Sequence, residues 1–275
     1  MNDIEIKIIS VCELLENQEE FKNRIRTVSK EIGSERINQL INLCQKKIEK
    51  PQKVNFSKEL YKIHKVSNWD VLCRRVIFNI IYEHKAEAVP YLIKNLTNNE
   101  NLISANCIAQ LCKIASEGIG RDYILNQIYN RRKVLSEISK RMLVQGLIII
   151  KDNENVDKIY EDIIEGSIEN ESSTEDIVQI YRNINFWSKS NQQKTRKYLA
   201  YLRKIVNGMA EKYFDKDLEL FSPEFTKQRH ESVKINSAIF YYQIEPTEEI
   251  MDKLIYWKDN AKFETNKKRI KDWLQ

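Results

Sequence analysis

Few residues in this chain have the types and spacing that chemistry requires. Gly118-Ile119-Gly120 is the one Gly-x-Gly, the arrangement in which backbone N–H groups can close on a phosphate. It lacks the third glycine and a preceding strand, so it reads as a helix end. His230-Glu231 opens like the helix of a zinc peptidase, but Lys234 stands where the second histidine must be, which excludes that mechanism. His64, His84 and His230 are isolated from one another in the sequence. Cys107 and Cys112, five apart, fall on different parts of one helix rather than in a metal hairpin, and core packing is expected of them. No cofactor, metal or catalytic residue is assigned.

Charge is more informative. From Asp152 to Asp176 ten acids face one base, Lys158, a net of −9. Residues 177–210 invert this: Arg182, Lys189, Lys194, Arg196, Lys197, Arg203 and Lys204 stand without an acid, a net of +7. A second basic stretch, 46–65, has seven lysines against Glu49 and Glu59. Such blocks are either solvated helix faces or an acidic rim beside a basic groove that steers a charged partner. In the +7 block, Trp187, Tyr198 and Tyr201 interleave with the cations, the pattern by which bases are stacked and phosphates held. The other reading makes Tyr198, Leu199, Tyr201, Leu202 and Ile205 a core face.

The elements that must position these residues follow from composition. Of 275 residues only 6 are Gly and 4 Pro, which argues against sandwiches, barrels and doubly wound sheets and leaves an all-helical chain. Hydrophobic residues make up 42 %, enough for a buried core. The balance of 45 Lys and Arg against 40 Asp and Glu is mildly basic. Five dispersed cysteines among apolar neighbours suggest a reducing, cytoplasmic setting. The first residues lack the basic region and cleavage site of a signal peptide, and no apolar run approaches the roughly 18 residues of a spanning helix, so a soluble protein without a membrane partner is expected.

Trp69, Leu72, Cys73, Val76, Ile77, Ile80 and Ile81 recur at steps of three and four, predicting an amphipathic helix over 69–84. A short helix with Pro90 near its start follows, then a polar break at 97–101, then a longer helix over 102–115 closed by Gly118 and Gly120. This layout recurs in units at 55–85, 86–117, 120–151 and 153–187, whose starts are 31, 34 and 33 residues apart. A two-helix hairpin cannot bury both apolar faces alone, so neighbouring hairpins must stack. Helices are also expected near 4–16, 18–32 and 34–49, near 190–213, from Ser222-Pro223 onward, after Thr247, and over 269–274. The domain reading is an N-terminal cap (1–50), a solenoid (51–187) and C-terminal helices that continue it (188–275).

Ala88-Val-Pro-Tyr-Leu-Ile-Lys-Asn-Leu96, the turn Asn98 to Asn101, and Ser104 to Ala115 with its small residues Ala105 and Ala109 together resemble a HEAT-like (armadillo-type) helical repeat of the short bacterial kind. The resemblance covers about 30 residues well and 55–187 more loosely. The Asp usual in the turn is replaced by Asn or Glu, and no Val-Arg pair opens the second helix. It implies a right-handed α-solenoid whose concave surface binds another macromolecule. One HEAT-like family is enzymatic, the bacterial alkylpurine-DNA glycosylases, in which a Trp is followed four residues later by a catalytic Asp. Here those positions after Trp69, Trp187 and Trp257 are Cys73, Asn191 and Ala261.

Two functions follow as expectations. The first is a non-enzymatic scaffold that binds a protein through its concave face, with Arg74, Arg75, Arg141 and Arg182 on the second helices as groove residues. The alternative is a nucleic-acid-binding protein, with or without glycosylase chemistry on alkylated bases, using Trp187, Lys189, Lys194, Arg196, Lys197, Arg203 and Lys204.

Overall fold

The computed structural model describes residues 2–14, 17–51, 68–97, 102–147, 149–150, 156–162, 195–209 and 222–275. The described residues are helical and turn-forming throughout, with no strand among them, as the scarcity of glycine and proline requires. No described helix is long and apolar enough to cross a membrane. The chain divides into two compact units, Met1–Ile159 and Tyr160–Gln275.

In the first unit, α1 (Asp3–Cys12) starts at a reciprocal cap. Asn2 Oδ1 accepts from the Glu5 N–H at 2.8 Å, and Glu5 Oε2 accepts from the Asn2 N–H at 3.2 Å. Asn17 caps α2 (Gln18–Ile32) through the N–H groups of Glu19 and Glu20, and Gly33 ends it at φ 78°, a conformation that favours glycine. The helix expected over 34–49 is shorter. A single 3-10 turn leads into α3 (Ile37–Leu43), and the chain then leaves the helical path. The physical reason lies in the core: Ile48 is 5 % exposed, and its carbonyl takes the indole N–H of Trp69 at 2.7 Å. The helix expected over 4–16 likewise stops at Cys12.

Helix α4 (Trp69–Glu83) is capped by Asn68, whose side chain accepts from the Val71 N–H at 2.9 Å. Its apolar periodicity is matched by burial of Trp69, Leu72, Cys73, Val76, Ile77, Phe78, Ile80 and Ile81. α1, α2 and α3 all pack against it. A 3-10 turn leads into α5 (Val89–Lys94), where Pro90 sits in the first turn, a position at which its missing N–H leaves no bond unmade. α6 (Leu102–Ser116), α7 (Arg121–Arg131) and α8 (Glu137–Leu147) are the further long helices among the described residues of this unit. Gly118 and Gly120, at φ 86° and 55°, form the turn between α6 and α7, as the Gly-x-Gly reading expects.

The packing runs in two rows. α4 contacts α6 and α6 contacts α8, while the shorter α5 contacts α7. α6 and α8 approach closely because α6 presents small residues and α8 presents Gly146. The first part of the unit expected at 55–85, most of the one at 153–187, and most of the acidic stretch 152–176 lie outside the described residues.

In the second unit, α9 (Leu199–Val206) is much shorter than the helix expected over 190–213. Within the described residues it ends at Asn207-Gly208, with Gly208 at φ 101°. α10 (Pro223–Ile244) starts as expected, with Ser222 as cap and Pro223 at the first position. α11 (Glu248–Asn260) and α12 (Glu264–Leu274) pack on each other and on α10, and α9 packs on α10 as well.

Candidate functional site

A recess in the first unit lies between the turn after α3 and one stripe of α4. Asp70, Cys73, Arg74 and Ile77 follow the i, i+3, i+4, i+7 rule and so share a helix face. Opposite them runs Leu43 to Ile48, and together they enclose a cavity of ≈ 230 Å³. The turn is fixed from both ends. The carbonyls of Ile41, Asn42 and Leu43 accept from the N–H groups of Cys44, Gln45 and Lys46, and Trp69 holds the Ile48 carbonyl. Lys46 and Lys47 are thereby placed on the wall facing α4.

Three cations, Lys46, Lys47 and Arg74, and one acid, Asp70, line this recess. Arg74 is half-buried, and its guanidinium has neither an ion pair nor a hydrogen bond among the described residues. Two thiols, Cys44 and Cys73, share the wall. Burial pushes Cys44 up to about 12, against the pull of the nearby Arg74. A thiol so protonated is neither a nucleophile nor a ready metal ligand at neutral pH.

Arg75, next in sequence, falls on a different face of α4. It lies near enough to Lys113 of α6 to oppose its charge, while burial is the main influence that lowers the Lys113 pKa. Arg141 is on α8, as the placement on second helices expects, and is half-buried. Arg74 and Arg75 therefore do not point into one groove. Arg182 lies outside the described residues. Lys46 and Lys47 open the basic stretch noted at 46–65, but neither they nor Asp70 were assigned to a site from sequence; the further usable signal was the shared α4 face of Asp70 and Arg74.

A second cluster, also not singled out, sits where α4 meets α6. Two ammonium groups lie over the Tyr82 ring, Lys85 at 3.6 Å and Lys113 at 4.0 Å from its centroid. Glu117 accepts from the Tyr82 hydroxyl and from Lys85, the latter at 2.7 Å. Lys85 adopts φ 50°, the only non-glycine residue at positive φ among those described.

The basic block of 177–210 is seen only in part, since Trp187, Lys189 and Lys194 lie outside the described residues. Of the cations that are described, Lys197 pairs with Glu161 at 2.9 Å and Arg203 pairs with Glu249, while Arg196 and Lys204 are exposed. Tyr198 and Tyr201 are each 4 % exposed and Leu202 and Ile205 fully buried, so this stripe is a core face. Its two tyrosines are not available to stack bases.

The remaining sequence candidates have structural places. Cys107 and Cys112 are buried in the α6 core. Burial raises both thiols, Cys112 to about 12. His84 approaches Ser29 Oγ at 3.0 Å, and Ser29 in turn donates to the Ile80 carbonyl. His230 is 4 % exposed within α10. Its neighbour Glu231 is a structural clamp: its carboxylate accepts from the N–H groups of Lys262 and Phe263 and from the Asn266 amide. No group of three or more His, Cys, Asp or Glu converges as a metal site among the described residues. No protein-family model, no curated protein and no solved structure matches the chain.

Proposed function

We propose that this chain is a non-enzymatic, HEAT-like α-solenoid scaffold that binds another protein through the surface of its second helices. The observation that carries the reading is the two-row packing of the first unit, with α4, α6 and α8 in one row and α5 and α7 in the other. Stacked hairpins pack in this way, because each buries its apolar face only against the next. On this reading Arg74, Arg75 and Arg141 belong to the second-helix row, and Arg182 continues it. The partner surface they fit is acidic.

The nucleic-acid alternative retains the exposed cations Arg196 and Lys204 but loses Tyr198 and Tyr201 as a stacking platform. Capture of cellular proteins on wild-type protein and on a variant with all four arginines changed to Gln tests the scaffold. Partners retained by the wild type and lost by the variant, at unchanged helicity, support it, and identical capture sinks the arginine surface. Fluorescence anisotropy with labelled DNA and RNA at low and moderate salt tests the alternative, whose affinity must fall steeply as counterions are released.

A further inference from the structure

We propose that the cavity between the turn after α3 and helix α4 is a receptor for a single phosphomonoester group. Lys46, Lys47 and Arg74 bring three positive charges to its wall and Asp70 one negative, a surplus that matches a phosphate dianion better than one carboxylate. Arg74 is the informative member. It is half-buried, its flat guanidinium fork suits two phosphate oxygens, and no described residue pairs with it or accepts a hydrogen bond from it.

The N–H groups of Cys44, Gln45 and Lys46 are spent on the carbonyls of Ile41, Asn42 and Leu43 at the end of α3, so the lysines and Arg74 are the groups left to hold a phosphate against the negative end of that helix. The volume of ≈ 230 Å³ holds a phosphate and the first atoms of its ester, and is below the roughly 300–1,000 Å³ of a site for a whole drug-sized ligand. Leu43 and Ile77 offer those atoms an apolar wall. A site of this size reads one group, either on a small phosphate ester or on a phosphorylated side chain.

The proposal shares Arg74 with the scaffold reading, and Lys46, Lys47 and Asp70, which that reading does not use, keep the two distinguishable. The experiment is titration calorimetry of the full chain with inorganic phosphate, with phosphoserine free and within a peptide, and with acetate as the carboxylate comparison. Saturable phosphate binding is expected, with acetate weaker by about tenfold or more. Arg74→Gln should reduce phosphate affinity by about tenfold or more, and the surface pair Lys46→Gln/Lys47→Gln should reduce it without touching the core. Asp70→Asn should tighten binding, because it removes the one repulsive charge. Free phosphoserine binding as well as the peptide assigns a small ester, and tighter binding of the peptide assigns a phosphorylated chain; both uphold the site. Absence of saturable phosphate binding overturns it, as does affinity unchanged in the lysine pair and unchanged or weakened by Asp70→Asn.

Discussion

A Cβ placed on Gly146 of α8 would lie 2.8 Å from the Cys112 Sγ and 2.9 Å from the Cys112 Cβ on α6. The thiol can turn aside, but the Cβ is carried by the α6 backbone, so the spacing of the two helices depends on the missing side chain. Gly146→Ala is expected to destabilise the first unit by about 1–3 kcal/mol, reduced by up to ~1 kcal/mol of improved helix propensity. In the Cys112→Gly background the clash is gone and the same substitution should become neutral or stabilising. Chemical denaturation of the four proteins measures this change of sign, and additive effects would refute the contact.

The α6–α8 contact also indicates how far the sequence could be read. The apolar spacing of α4 and α6, Pro90 at the start of α5, and the Ser222-Pro223 cap were legible because each is decided within a few residues. The early end of α3 was not, since it depends on Ile48 and its carbonyl meeting Trp69, 21 residues away. The cavity was hidden for the same reason: Asp70 and Arg74 share a visible helix face, but the lysines opposite arrive through a turn set by tertiary contact. Tyr198 and Tyr201 carried two readings that local pattern could not separate, and burial decides for the core.

Glu231 joins α10 to the turn before α12. Its two oxygens receive Lys262 N–H at 2.7 Å, Phe263 N–H at 3.2 Å and the Asn266 amide at 2.8 Å, and Ser232 donates to Asn266 Oδ1 at 2.7 Å. Asn266 is 1 % exposed, so removing the carboxylate leaves a buried amide without its acceptor. Glu231→Ala should cost about 2 kcal/mol, and Glu231→Gln less, because its carbonyl still accepts. Hydrogen exchange at Lys262 and Phe263 should accelerate in the Ala variant; unchanged protection there would show that the clamp is dispensable.

The cluster at Tyr82 makes a pH-dependent contribution of definite sign. Hydrogen bonds from Lys85 and then Tyr82 hold Glu117 below the usual 4.5, so its contribution is present above that value and is lost as pH falls through the lower folded-state pKa. Burial pulls Lys85 down, yet Glu117 and Tyr82 outweigh it and leave the ammonium above the usual 10.5. Its contribution is complete below 10.5 and is lost as pH rises further. Lys113, held below its usual 10.5 chiefly by burial, and Tyr82, raised above its usual 10.0 chiefly by burial, add an alkaline dependence of their own, so the acid side is where Glu117 is read alone. Glu117→Gln should remove most of the acid-side loss attributable to it, an effect kept small by solvent at this exposed site. Denaturant midpoints from pH 3 to 7 for wild type and variant provide the check, with parallel profiles counting against the assignment.

Trp69 should couple the stability of the first unit to the shape of its cavity. The indole is 7 % exposed and donates to the Ile48 carbonyl at 2.7 Å, which holds the turn carrying Lys46 and Lys47 against α4. Trp69→Phe retains most of the apolar surface but removes the donor, leaving a buried carbonyl unpaired at a cost of about 1–3 kcal/mol. The freed turn would let the two lysines move away from Arg74, so phosphate affinity should fall along with stability. Asn68→Ala, which removes the cap of α4 but not the indole bond, is expected to cost about 1 kcal/mol while leaving phosphate affinity close to wild type. Measuring denaturation and phosphate binding for both variants separates general loosening of α4 from loss of the turn. Equal loss of affinity in the two would mean that the Trp69 bond does not position the site.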